Sequence, residues 1–379
     1  MISSLLLHTK AAVSASGSDS IALNGQLIGW AGISSGNPGL QEFGGRFLPE
    51  VFCQHSFHNA VKIDMDLSAN AYSSLEYDDW KYTGDQSRIK PYRASLRLSS
   101  RQWEVRAGLQ KLSFGSASLL RPLMWFDGMD PRDPLQLTDG IYGLLGRYYF
   151  LDNANLWVWG LIGNKDPRGW DYVPTQIHKP EFGGRFQFPF LHGEMGVTVN
   201  HRLPGSNSAA IYGIPSGTPI QYTEDKAGLD GKWDIGPGIW FEYVLKHNSL
   251  APIEIPELEH YLTLGSDYTF AWGNGLNLLA EHFVYASYNP PTGNNQSRNF
   301  TAASLSYPFG LRDRISAMIY RGWEDKSWYR FVNYQRQYDN LSLYLMLFWN
   351  PDSFRLYPAR QDSGLFTGKG FEIMASYNF

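Results

Sequence analysis

The feature that most restricts this chain is an alternation of period two that recurs along its whole length. In Val61-Lys62-Ile63-Asp64-Met65-Asp66-Leu67-Ser68-Ala69-Asn70-Ala71 every odd position is apolar and every even one polar or charged. Successive side chains of a strand point to opposite faces, so such a segment has one oily face and one wet face. The pattern returns in Tyr92-Arg93-Ala94-Ser95-Leu96-Arg97-Leu98, in Trp103-Glu104-Val105-Arg106-Ala107-Gly108-Leu109-Gln110 and in Glu194-Met195-Gly196-Val197-Thr198-Val199-Asn200. It recurs at 226–235 and in the last segment, 371–379. No helical periodicity of any length interrupts the series. The chain reads as all-β.

Composition narrows the setting. Of the 379 residues, 18% are charged and 15% aromatic, and the formal net charge is −4. Disorder needs high charge and few aromatics. A nucleic-acid partner needs excess positive charge to neutralise phosphates, so no nucleic acid is expected. The densest apolar run, Leu341 to Trp349, is far shorter than the roughly 20 residues of a membrane-spanning helix, yet it has the length of a spanning strand. A single cysteine, Cys53, rules out an intramolecular disulfide and a cysteine-based metal cluster. At the start, Leu5-Leu6-Leu7 is followed by His8 and Lys10, so residues 1–19 read as a polar lead-in or the remnant of an export signal. The rest, 20–379, reads as one domain.

Strands are expected near 20–33, 43–57, 60–77, 88–100, 102–113, 138–150, 155–164, 180–190, 192–203, 224–236, 238–248, 258–271, 275–288, 297–308, 311–324, 327–338, 340–350 and 368–379. Tight turns are expected at His58-Asn59, Ser100-Arg101, Asp152-Asn153, Gly236-Pro237, Trp272-Gly273-Asn274-Gly275, Gly310-Leu311 and Asp339-Asn340. Between them lie longer loops at 34–42, 78–87, 114–137, 165–179, 204–223, 249–257, 289–296 and 351–367, with a short one at 323–326. An even count of about 18 strands (16 being the alternative), with every other connection short, predicts a single closed antiparallel up-and-down transmembrane β-barrel. Closure is required because hydrocarbon offers no partner to an unpaired backbone edge. A soluble sandwich or propeller also alternates, but a sheet this large would need a second apolar layer over its oily face. Aromatics near strand ends, among them Trp30, Tyr92, Trp103, Tyr148, Phe190, Phe270, Tyr307 and Trp349, suit two interfacial girdles.

The final strand, with Phe371, Ile373, Ala375, Tyr377 and the terminal Phe379 on one parity, resembles the terminal-strand signature of Gram-negative outer-membrane β-barrels. The resemblance implies that Phe371, Ile373, Tyr377 and Phe379 are read by the barrel-assembly machinery. It also implies location in the outer membrane of a Gram-negative bacterium. In size and strand count the chain is similar to 18-stranded sugar-specific porins and alginate-export barrels. The stretch Gly108–Gly115 followed by Met129-Asp130-Pro131-Arg132-Asp133-Pro134 resembles the Gly-rich strand and Pro-rich loop of the latter, without carrying over a substrate.

A barrel of this size is too wide for its own side chains to fill, so an aqueous channel follows. The parity opposite the apolar face gives candidate pore-lining residues: the bases Arg93, Arg97, Arg106, Lys232 and Lys246, and the acids Asp64, Asp66, Glu104, Glu194, Asp230, Asp234, Glu242 and Glu281. Glu372 of the last segment is a further acidic wall candidate, and Arg147 and Arg185 are additional basic ones. The interleaved signs suggest a mixed-charge wall for hydrated polar solutes rather than a ring of one sign. The loop 114–137 is too apolar to stay in water. It either folds into the lumen, with Arg121, Asp127, Asp130, Arg132 and Asp133 narrowing the pore, or packs over the barrel mouth.

The expected function is passive diffusion of small hydrophilic solutes, with outer-membrane lipid around the barrel and a homo-oligomer left open. Two alternatives remain. One is a barrel that binds or exports surface polysaccharide, with Trp170, Tyr172, Trp323, Trp328 and Tyr329 stacking on sugars rather than serving as girdle residues. The other is a structural barrel sheathing a partner protein. Enzyme chemistry and cofactors are not expected. Gly32-Ile33-Ser34-Ser35-Gly36 matches G-x-S-x-G but lacks the strand-to-helix elbow that motif requires. His201, His247, His260 and His282 fall on different strands and show no metal-ligand spacing.

Overall fold

The computed structural model describes residues 11–14, 19–36, 39–57, 60–206, 219–249, 251–252, 255–289, 293, 295–352 and 364–379. Eighteen strands follow one another in sequence, each antiparallel to the next. The first nine are β1 (Asp19–Ser34), β2 (Leu40–Ser56), β3 (Lys62–Asp78), β4 (Lys81–Ser99), β5 (Trp103–Gln110), β6 (Ile141–Tyr149), β7 (Asn155–Leu161), β8 (Glu181–Phe190) and β9 (Gly193–Arg202). The second nine are β10 (Thr223–Asp234), β11 (Gly238–Ser249), β12 (Leu258–Phe270), β13 (Leu276–Tyr288), β14 (Gln296–Phe309), β15 (Asp313–Gly322), β16 (Trp328–Gln337), β17 (Leu341–Trp349) and β18 (Lys369–Asn378). The ring closes where β18 pairs with β1, from Gln26 opposite Asn378 to Ser34 opposite Gly370. At that seam the Phe379 ring lies over Gly25, and the two residues exchange backbone hydrogen bonds of 3.0 and 3.1 Å.

Alternation sets which side chains point where. In β17, Ser342, Tyr344, Met346 and Phe348 are buried, while Leu343, Leu345 and Trp349 stand exposed on the outer face. In β18, Glu372, Met374 and Ser376 point in, while Phe371, Ile373, Tyr377 and Phe379 point out. The outward row is apolar, the pattern expected of a barrel whose outer face meets lipid. No helix among the described residues is long and apolar enough to cross a membrane.

Three features differ from the sequence reading. The loop expected at 78–87 is a two-residue turn at Asp79 and Trp80, both at positive φ (45° and 63°), as a tight antiparallel hairpin needs. β3 and β4 therefore run on as a projecting hairpin, with Trp80, Tyr82 and Ile89 exposed. The turn pair itself carries neither Gly nor Asn, and the one glycine of the run, Gly84, lies four residues further on, so the sequence gives no sign of so short a turn. The long loop spans 111–140 rather than 114–137, because β5 ends at Gln110 and β6 begins at Ile141. Trp30 faces the interior, not a girdle, because its parity is that of Ile28 and not of the exposed Leu27. Tyr92 also lines the interior, because the register shift between Ser68 and Ala69, opposite Arg93 and Pro91, takes it off the outward parity of Leu96 and Leu98. Residues 1–10 and 15–18 of the lead-in, and the turn at His58-Asn59, lie outside the described residues. The short strand Ala11–Ser14 pairs with β1 over Ser20–Leu23.

In lipid vesicles, an arginine placed on the apolar outer face at mid-strand would be set among acyl chains. Leu345→Arg is expected to lower stability by about 2–4 kcal/mol in urea unfolding from lipid vesicles, whereas the inward Gln335→Arg should change it little.

Candidate functional site

The loop 111–140 crosses the interior and fastens to the far wall. Glu242 on β11 accepts hydrogen bonds from the backbone N–H of Ala117 (2.7 Å) and Leu123 (2.9 Å). Glu281 on β13 accepts from Ser118 (2.6 Å), Leu119 (2.9 Å) and Leu120 (2.6 Å), and also from Trp240 Nε1 (3.0 Å). Thr263 on β12 returns a hydroxyl to the Leu120 carbonyl at 2.6 Å. An irregular segment inside a barrel must satisfy its own backbone groups, and these two carboxylates do so for five N–H groups. Close approach also requires Gly115, whose φ is +100° and whose missing Cβ leaves room for Glu242.

Apolar packing completes the docking. Leu112, Phe114, Leu120, Leu123, Trp125 and Phe126 form one buried cluster with inward residues of β6, β7 and β11 to β17. Phe114 stacks on Trp159 at 5.8 Å, and Phe126 meets the same ring edge-on at 5.4 Å. A second loop joins it: Trp170 stacks on Phe283 (5.0 Å) and donates Nε1 to the Arg121 carbonyl at 2.7 Å. Trp170 is thus part of the interior packing. Trp323 and Trp328 sit on the exposed outer face and Tyr329 is buried.

The five loop charges singled out from the sequence are brought together, but mainly with one another. Arg121 pairs with Asp127 at 3.0 Å and Arg132 with Asp130 at 2.6 Å, all four buried. Asp133 accepts the N–H groups of Leu135 (2.9 Å) and Leu137 (3.3 Å), closing the turn at the loop's return leg. The strand residues divide into groups. Glu242, Lys246, Glu281 and Asp230 are buried beneath the loops, Asp230 in a two-pronged pair with Arg185 (2.6 and 2.8 Å). Lys246 joins a charge-balanced cluster of Asp171, Glu224 and Glu259 with Arg202 and Lys226, at 2.5–3.6 Å. Asp64, Arg97, Glu104, Arg106 and Arg147 form a second network on β3 to β6, with Arg97 Nε to Asp64 at 2.7 Å and Arg147 to Glu104 at 3.1 Å. Asp66 lies beside it, and Arg93 bonds the carbonyls of Tyr92 and Thr138. Glu194, Lys232 and Asp234 lie at the short-turn end, Glu194 accepting from Gln187 at 2.7 Å.

Open space remains on the other side of the loop. A cavity of about 1300 Å³ lies at the long-loop end, against β18 and β1 to β4. Its lining carries Glu42, Glu76, Asp127, Asp130, Asp133, Asp139, Asp166, Asp352 and Glu372 against Arg46, Lys90, Lys165 and Arg168, nine carboxylates to four bases. Of the sequence candidates Asp127, Asp130, Asp133 and Glu372 are among them. Glu42, Glu76 and Arg46 are not among the pore-lining residues that the sequence suggests, although extending the expected strand 43–57 by one residue includes Glu42. Arg46 lies over the Tyr72 and Trp30 rings (5.3 and 5.9 Å).

Ser34, centre of the G-x-S-x-G stretch, ends β1 and donates its hydroxyl to the Thr367 carbonyl. His201, His260 and His282 sit in separate pairs with Asp225, Tyr243 and Thr301.

No known protein-family profile matches the sequence. No curated protein matches it either. Solved structures do match over nearly the whole chain. OccK2 of Pseudomonas aeruginosa, solved with glucuronate, aligns with TM-score 0.60 at 10% identity, covering 95% of this chain and 96% of that one. OccAB4 of Acinetobacter baumannii aligns with TM-score 0.58 at 8% identity, covering 96% and 98%. OmpF of Salmonella typhi, solved with daunomycin, gives TM-score 0.55 at 10% identity, covering 97% and 100%. At these identities the likeness is one of fold: an 18-stranded closed antiparallel barrel of the outer-membrane porin type.

Proposed function

We propose that this chain is an outer-membrane channel for passive diffusion of small hydrophilic solutes, entered through the cavity at the long-loop end and constricted by loop 111–140. The observation that carries the reading is the way the loop fills one side of the lumen and leaves a roomy, polar cavity on the other. A wide barrel needs such a device to turn a hole into a filter. The acid-rich lining favours cations over anions, because carboxylates in a confined, weakly screened space attract one sign of mobile charge. The oily outer face is taken to contact outer-membrane lipid, and the row ending in Phe379 to serve the assembly machinery. The porin-type fold supports both readings. It also leaves room for several copies to associate, which chemical cross-linking in membranes would count.

Three outcomes test this reading. Deleting 118–135 is expected to raise single-channel conductance in planar bilayers several-fold, and an unchanged value would remove the constriction. In Glu281→Ala combined with Glu242→Ala, five backbone N–H groups lose their acceptors at about 1–3 kcal/mol each before the loop relaxes. The loop should then become cleavable by added protease and the open-channel current noisier. The third outcome concerns acid. Burial raises the pKa of the Asp133 carboxyl above its ordinary value. As pH falls, Asp133 takes up its proton before an exposed aspartate does, removing a negative charge from the lining. The cation-to-anion permeability ratio from reversal potentials should therefore decline on acidification, and Asp133→Asn should flatten the upper part of that decline.

A further inference from the structure

Three glutamates of the cavity share one row of the sheet. Gly32 of β1 pairs on one side with Glu372 of β18 and on the other with Glu42 of β2, and Glu42 pairs directly with Glu76 of β3. Neighbouring strands stand about 4.8 Å apart, so Glu372 lies about 10 Å from Glu42 in backbone terms, with Glu76 one strand beyond. All three line the cavity, and none forms a salt bridge among the described residues. Glu76 accepts a hydrogen bond from Gln86 (2.9 Å), and Glu42 accepts one from Trp30 through Oε1 while its Oε2 has no partner. Glu372, only 8% exposed, makes no hydrogen bond to a described residue and points into the cavity. Like charges gathered in one row repel, and leaving them buried without cations is costly.

The space between the two ends of the row is apolar. Leu365 packs over Gly32, where a side chain on that glycine would stand, and the Trp30 ring lies beside Glu42. Negative, apolar, negative is the complement of a chain with an ammonium group at each end and methylenes between. Arg46, lying over Tyr72 and Trp30, shows that the aromatic wall already holds one organic cation. That single charge leaves Glu42, Glu76, Glu372 and Asp133 in excess. The carboxylates are spread along the row instead of converging, and no group of acids or histidines among the described residues is placed to hold a metal ion.

We infer that the row is a binding subsite for linear di- and polyamines at the mouth of the channel. The inference rests on the channel reading and names a solute class for it. An amine bound across the row would neutralise Glu372 and Glu42 together while its carbon chain covers Leu365.

The test uses the full chain refolded in detergent and in planar bilayers, with spermidine as the added amine and magnesium as the control. Spermidine on the long-loop side should reduce the potassium chloride current at concentrations where magnesium leaves it unaltered. Glu372→Gln should weaken that block about tenfold or more, the loss of one buried charge-assisted contact. Asp225→Asn, on the outer surface, should retain it. Equal block by magnesium, or undiminished block in Glu372→Gln, would overturn the subsite. If the protein carries no current at all, the channel reading fails instead. Spermidine binding is then read by calorimetry on the detergent-solubilised protein, where absence of heat, or heat unaffected by Glu372→Gln, also overturns the subsite.

Discussion

Everything in this molecule follows from the demand that no backbone N–H or carbonyl be left bare in hydrocarbon. An open sheet of this composition would expose two edges to lipid. The seam between β18 and β1 removes both, and the terminal Phe379 is held by its backbone to Gly25. With the ring closed, alternation has only one solution. Leu343, Leu345, Ile373 and Tyr377 go to the outside, and the polar parity is committed to enclosing a space.

The interior then poses the reverse problem. Its wall is rich in charge, and the segment that fills much of it is rich in Leu, Phe and Trp. Buried carboxylates reconcile the two. Glu242 and Glu281 use their oxygens as acceptors for an irregular backbone, while aromatic rings on the same strands receive the loop's side chains. Deeper charges cancel within clusters such as Asp171, Glu224 and Glu259 with Arg202, Lys226 and Lys246. Replacing such clusters by apolar packing would often be harmless, but removing one member strands the others. Charge that is not cancelled gathers on the opposite side, along β18 and β1 to β3, where the lumen is open.

The strand count, the antiparallel order and the inward or outward sense of most residues were legible in the sequence, since a period of two survives even when boundaries are off by a few positions. Glu242 and Lys246 share the inward parity and are buried. Their surroundings were not legible, because Glu242 meets Ala117 across 125 positions of chain and no local pattern encodes that. Glu42 is missed for a smaller reason: the expected strand begins at 43, three residues after the observed start at Leu40, and a wall residue falls in the loop before it. Trp30 lies near a strand end, yet its parity places it inside, whereas Tyr92 has the outward parity of Leu96 and Leu98 and is turned in only by the register shift opposite Ser68 and Ala69, which no local pattern announces. The turn at Asp79 and Trp80 carries neither glycine nor asparagine to betray it.

The seam also has a kinetic side. Gln26 and Asn378, joined by a side-chain hydrogen bond, are 352 positions apart, and the backbone pair of Gly25 and Phe379 beside them spans still more of the chain. Hairpins between successive strands form from near neighbours, but that last zipper waits until both ends have been made and brought round. Until it locks, two rows of unsatisfied peptide groups invite pairing with whatever strand is near, a neighbouring copy included. The slowest and most hazardous moment in the life of this molecule is therefore its final one, when the circle is drawn shut.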